Sequence, residues 1–287
     1  MRTTSLPPEA WRKAIAEHET RAGRYTRPHL ARRTRGERHP VWDFLFDYYP
    51  FRASQLSRWH PGWGIVLADA HASPHATLPF YTTHPDGSVG FDRDAFLAKR
   101  RNDCERIRAL LRGVEHRPSH FDCFGMHEWA MVYRDAPRHD LPLRLGSAAT
   151  DAVVESHQLK CTHFDAYRFF TPAAKPLNLT VLERDDQADS DQAGCVHVAM
   201  DLYKWAAKMG PAAPGELLLD AFELAVDARR LDMEASPYDC TGLGLGVVAV
   251  ETPAGKAEYV ARQRELSARA APIRARLIAL LDGLLAS

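Results

Sequence analysis

Histidine and carboxylate side chains crowd one stretch of this 287-residue sequence. Of its 14 histidines, His120, His127, His139, His157, His163 and His197 fall between positions 120 and 197. Among them stand Glu128, Glu155, Asp165 and Asp201, with the aromatic residues Trp129, Tyr167, Phe170, Tyr203 and Trp205 close by. Two kinds of chemistry draw on such a mixture.

The first is metal ligation. Imidazole nitrogen and carboxylate oxygen suit iron or manganese. His197 and Asp201 are four apart, which on a helix places both on one face. With Glu128, His157 and His163 they make a possible N/O set for a helical metalloenzyme acting on a small molecule. HExxH, HxH and a cysteine quartet are all absent. The competing role of each histidine is structural, as a hydrogen-bonded group in a polar helical core.

The second is acid–base work beside a flat ring, as in excision of a base from DNA. The duplex hides the glycosidic bond, so the nucleotide turns out into a pocket that stacks on the ring and reads its edge. A carboxylate then stabilises the oxocarbenium-like sugar or activates water, and a histidine donates to the departing base. On this reading Asp165, Asp201, Glu128 and His163 are the catalytic candidates. Trp129, Tyr167, Phe170, Tyr203 and Lys204 are the base-binding ones, and no metal or cofactor is expected. The competing role of the aromatics is core packing. Arg52, Arg58, Arg144 and Arg168 are the candidate DNA contacts. Arg144 is flanked by Leu143 and Leu145, so if buried it needs an anion or a carboxylate such as Asp151 or Glu155. Ser236 to Asp239 reads as a turn that brings one more carboxylate and phenol into range. No G-x-S-x-G, Walker A or G-x-G-x-x-G string is present.

The elements that must position these residues are mostly helical. Apolar spacing predicts helices from Pro8 to about Arg21, Phe91 to Gly113, Cys195 to Met209 and Gly215 to Glu234. The last of these should bury Leu217, Leu218, Phe222, Leu224, Ala225 and Leu231. Thr252-Pro253 opens a final helix, with Thr252 as N-cap and Pro253 at the first position; it runs towards Leu285, with a bend expected at Pro272. Residues 68–90 read as a turn-rich loop or small ribbon with His71, His75 and His84 exposed. Gly242 to Val250 is the best strand candidate. The expectation is a mainly α protein: one helical domain over residues 1–287 with a small β element.

Charge and composition bound the partners. Lys and Arg total 37 against 37 Asp and Glu, yet residues 1–60 carry 12 basic and 6 acidic side chains, net +6. Residues 179–240 carry 5 basic and 13 acidic, net −8. The Arg21–Arg38 run holds seven arginines and one acid, either a solvated helix face or a phosphate-contacting surface. Residues 179–193 read as an exposed acidic loop. No apolar run reaches the roughly 18 residues of a membrane span, and the N-terminus lacks a signal core. Five cysteines without a CxxC pair fit reduced thiols. A cytoplasmic monomer with DNA as partner and no membrane contact is expected.

Several strings carry a resemblance: HPVWDFLFDYYPFRASQLSRWHPGWG, CFGMHEWAMVYR, CTHFDAYRFFTPAAKPLN, GCVHVAMDLYKWAAKMGP and LLLDAFELAVDARRLDMEASPYD. Together they resemble a bacterial family, common in actinobacteria, labelled 3-methyladenine DNA glycosylase. The resemblance covers most of residues 39–287 apart from the acidic loop. The helix-hairpin-helix string of better-understood alkylpurine glycosylases is absent. The resemblance implies an N-glycosylase of base excision. Its substrate would be an alkylated base in DNA repair, or a bulky modified base in defence against phage.

Overall fold

The computed structural model describes residues 3–137 and 140–286; His139 lies outside them. The helices are α1 (Pro8–Thr34), α2 (Phe44–Asp47), α3 (Ala53–Leu56), α4 (Arg93–His116), α5 (Met126–Ala130) and α6 (Gly146–Glu155). They continue with α7 (Phe164–Tyr167), α8 (Gln187–Ser190), α9 (Val196–Met209), α10 (Gly215–Glu234) and α11 (Pro253–Leu285). Four three-residue strands, β1 (Thr4–Leu6), β2 (Ile65–Leu67), β3 (Tyr81–Thr83) and β4 (Val89–Phe91), form one sheet. The protein is therefore mainly α with a small β element.

The periodic segments form helices where their apolar stripes find cover. In α10 every apolar residue expected inside is buried, each leucine and Phe222 contributing about 1.5–3 kcal/mol. Thr252 Oγ1 accepts the Gly255 N–H at 3.1 Å and caps α11, which continues through Pro272. Helix α1 runs on past Arg21 to Thr34 with Pro28 inside it. No described helix is long and apolar enough to cross a membrane.

The residues group into two units. The first comprises Met1–Arg108, Leu202–Glu223 and Ile273–Ser287. Its sheet has the order β1-β2-β4-β3, with β1 and β2 parallel and the other pairs antiparallel. The turn-rich segment thus supplies a hairpin, β3–β4, with Thr82 opposite Gly90. Trp11, Trp59, Leu67, Ala70 and Val89 form a core cluster, and Trp11 Nε1 donates to the Ala68 carbonyl at 3.0 Å. His71 and His84 are exposed as expected, but His75 is buried, with Nε2 2.9 Å from the Trp59 carbonyl.

Four of the seven arginines of the Arg21–Arg38 run pair with carboxylates. Arg21 pairs with Asp220 and Glu223, Arg32 with Asp43, Arg35 with Glu37 and Arg38 with Asp47.

The second unit comprises Ala109–Asp201 and Leu224–Pro272. Here the expected strand over Gly242–Val250 does not form. Thr241–Leu243 is a single 3-10 turn ended by Gly244 at φ +75°. The N–H groups that would feed a ladder go to Glu234 instead: Gly246 donates to its Oε1 at 3.1 Å and Val248 to its carbonyl at 2.7 Å. The acidic segment also departs from expectation. Its outer residues are exposed, but it contains α8, and Asp191 and Gln192 are buried.

Candidate functional site

The charged side chains of the second unit converge because four helices present them inward. Helix α5 is entered through Gly125, whose φ of +70° favours glycine and where a Cβ would crowd the Tyr259 ring at 3.1 Å. The turn delivers His127 and Glu128 into the interior. His163 stands in extended conformation at the N-cap of α7, and Asp165 lies in its first turn. The chain leading to His163 is fixed by Asn178, which accepts from the Cys161 N–H and donates to the Cys161 and Thr180 carbonyls. Helix α9 supplies His197 and Asp201, the four-residue pair read from the sequence, and α10 supplies Arg229 and Asp232.

The three imidazoles form a row. His127 and His197 meet edge to face with centroids 4.4 Å apart, and His197 and His163 are parallel at 5.4 Å. At one end His127 Nε2 lies 2.6 Å from Asp232 Oδ1. Arg229 Nη1 donates to Asp232 Oδ2 at 2.7 Å and to Glu128 Oε1 at 3.1 Å. At the other end His163 Nδ1 lies 2.9 Å from Asp191 Oδ1, and its Nε2 faces Asp201 Oδ2 at 3.8 Å. Gln187 donates to the second oxygen of Asp191 at 3.0 Å. Asp165 faces Arg168 at 3.2 Å and Arg184 at 3.8 Å.

Two sets of ligand atoms result, each lying within 4.8 Å: His127, His197 and Asp232, and His163, Asp165 and Asp201. Beside the first set is a cavity of about 20 Å³ whose lining includes Cys123, His127, Cys161, Phe170, Cys195 and His197. That is room for a water or an ion, not for a base. Among the described residues, His197 makes ring contacts but no hydrogen bond.

Electrostatics sort the carboxylates. Burial, together with the charge of Asp232, pushes Glu128 up to about 7. Burial opposes ionisation of Asp232 as well, but His127 and Arg229 overcome it and hold that carboxylate far below its usual range. Burial works against a charge on His127, yet Asp232 raises its pKa. His197 lacks such a partner, so burial and the neighbouring His127 drive it well below the usual imidazole value. The cavity thiols are raised by burial, Cys161 to about 12.

The structure brings together Asp165, Asp201 and His163, with Glu128 at the far end of the same row. It places the aromatic candidates otherwise. Trp129 is fully buried, donates to the Ala235 carbonyl at 2.9 Å and lies 5.8 Å from the Arg144 guanidinium. Tyr167 and Phe170 pack on each other at 5.1 Å, and Phe170 alone of the aromatic candidates reaches this cavity. Tyr203 belongs to the first unit, where it packs edge-on against Tyr49, Phe51 and Phe222. Lys204 lies in the same unit, 4.4 Å above the Trp205 ring.

Of the arginines, Arg144 makes a bidentate pair with Glu251 at 2.8 and 2.9 Å, in place of Asp151 or Glu155. Arg168 stacks on Phe169 at 4.3 Å. Arg52 is exposed at the N-cap of α3, and Arg58 borders a cavity of the first unit. His157 joins neither ligand set; its Nδ1 lies 2.7 Å from the Val153 carbonyl.

Sequence reasoning missed His127 as a ligand, and also Asp232, Arg229 and Asp191. The signal for the α10 pair was a charged i,i+3 couple set among Ala225, Ala228 and Leu231. Asp191 carried none, since it ends a run of solvated acids.

No family model matches this sequence, and no curated protein and no solved structure matches it either.

Proposed function

We propose that this chain is an enzyme whose buried His/carboxylate array holds a divalent metal ion of the iron, manganese or zinc type. One observation carries the reading. His127, His197 and Asp232 offer two imidazoles and a carboxylate at mutual ligand distance, beside an ion-sized cavity, and His197 has no other polar partner. A three-residue set of this composition leaves positions for water or substrate. His163, Asp165 and Asp201 are a second set, suited to a second ion.

When bound, the ion supplies Lewis acidity and a more acidic water. The chain's own residues supply the setting. Asp191 orients His163 by the bond to its other nitrogen, the usual support for a metal-binding imidazole. Arg229 balances the charge of Asp232 and holds Glu128 in place. Trp129, Phe170 and Tyr167 are buried against the site's helices. The test is elemental analysis of the purified protein and of apoprotein reconstituted with Fe(II), Mn(II) or Zn(II). Near-stoichiometric metal, lost in His197→Ala and Asp232→Asn, is expected. Metal-free protein that takes up none of the three overturns the reading.

A second reading, removal of a modified base from DNA, is supported by the family resemblance and by one observation: Asp165, Asp201 and His163 stand together. It requires the buried rings of Trp129 and Tyr167 to become accessible to a base. Incubation with a panel of modified DNAs, with mass detection of free base, tests it; Asp165→Asn and Asp201→Asn should each abolish release.

A further inference from the structure

The first unit has a cavity of its own. It measures about 160 Å³ and is bordered by Phe51, Gln55, Arg58, His60, Phe80 and Tyr203. A dry engineered cavity of about 150 Å³ takes one benzene ring, so this one is sized for a single ring. Three of its lining residues are aromatic, Phe51, Phe80 and Tyr203, set among apolar side chains such as Leu56, Leu78 and Leu218. Phe51 and Tyr203 meet at 5.8 Å with planes 72° apart, and Phe80 is locked edge-on against Phe96 at 5.3 Å. Phe80 holds a left-handed φ of +64°, a conformation a bulky residue rarely adopts.

The polar groups are donors or neutral, and no carboxylate lines the cavity. Tyr203 is 1% exposed, and its hydroxyl has no hydrogen-bond partner among the described residues. His60 Nδ1 lies 2.9 Å from Tyr81 Oη, and its Nε2 has no hydrogen-bond partner among the described residues. Burial, with His75 and Arg58 nearby, holds this imidazole neutral, down to about 3. Gln55 accepts the Arg52 N–H with its Oε1, so its amide N–H groups remain to donate. Arg58 is exposed at the rim and forms no ion pair or hydrogen bond among the described residues.

A ring-sized apolar cavity with three aromatic lining residues, and an unpaired guanidinium at its rim, complement one class of molecule. We propose that this cavity binds a monocyclic aromatic anion, its ring between Phe51, Phe80 and Tyr203 and its charge on Arg58. The anion is a carboxylate on the ring or the phosphate of a pyrimidine nucleotide. The site shares no residue with the His/carboxylate array and stands or falls apart from it.

Calorimetric titration of the full-length protein with benzoate, 4-hydroxybenzoate and thymidine 5′-monophosphate tests this, with benzyl alcohol as the uncharged control. Binding of at least one anion, and weaker binding of benzyl alcohol, is expected; the anion that binds identifies the source. Arg58→Gln should weaken it on the order of tenfold, the loss of one charge-assisted contact. Ala207→Phe, which fills the cavity from α9, should abolish it. Circular dichroism confirms folding, and the smaller Ala207→Leu replaces Ala207→Phe should that variant fail to fold. No binding at millimolar anion overturns the proposal, as does binding untouched by both Arg58→Gln and the cavity variant.

Discussion

His163 Nδ1 lies 2.9 Å from Asp191 Oδ1, both side chains buried, so a carboxylate from an otherwise exposed acidic segment fixes an imidazole of the inner row. Removing such a supporting group usually costs roughly 10–100-fold in metal affinity. Asp191→Asn should show that loss in competition with a chelator and keep its secondary structure. Asp189→Asn, at a side chain 93% exposed, should bind metal as the parent does.

Arg229 is 2% exposed and bridges two buried carboxylates. Taking away one partner of such a buried network leaves uncompensated charge and costs about 3–5 kcal/mol. Urea unfolding of metal-free Arg229→Met should register a loss of that order. A change within error would mean that water reaches these carboxylates.

Gly125 combines a φ of +70° with a Cβ position 3.1 Å from Tyr259. Gly125→Ala therefore strains the turn that aims His127, at about 1–3 kcal/mol. Lower thermal stability together with reduced metal content is expected. Gly36→Ala, at φ +68° with open space around it, should lose stability alone.

His60 gives the first unit a defined response to acid. Its folded pKa is near 3, against about 6.5 in an unfolded chain. Between these values the unfolded chain binds the extra proton, so stability falls as pH drops from about 6.5 towards 3 and is unaffected by this group above. The neighbours acting on it are His75, Arg58 and His18, with Tyr81 on its Nδ1. The slope approaches about 1.4 kcal/mol per pH unit for one histidine. Melting temperatures of the metal-free parent and of His60→Gln at pH 4.5 and 7.5 should differ less in the variant.

The helices were legible because periodicity and burial agree. Helices α9 and α10 and the capped start of α11 lie where apolar spacing and Thr252-Pro253 put them. The His197–Asp201 pair was legible for the same reason. The strand expected at Gly242–Val250 was misread because β-branched residues and glycines describe an extended chain, not its partner. Glu234 took the hydrogen bonds a neighbouring strand would need. The other half of the ligand array was hidden differently. Asp232 is about a hundred residues from His127, and only tertiary packing joins them. Tyr203, expected to hold a base beside Trp129 and Tyr167, lines a cavity of the first unit with Phe51 and Phe80, companions far away in the sequence.

The acidic segment shows what a tether demands of its sequence. Between Leu179 and Ser190 most residues face solvent, where insertions and substitutions are well tolerated. Asp191 is anchored at the segment's inner end. Relatives of this chain could therefore vary the exposed positions of the outer stretch while keeping Leu182 in the core, Gln187 on the aspartate and the aspartate at its close. A cut made between Glu183 and Asp186 by a protease would leave α5, α7, α9 and α10 intact and still loosen one support of the imidazole row.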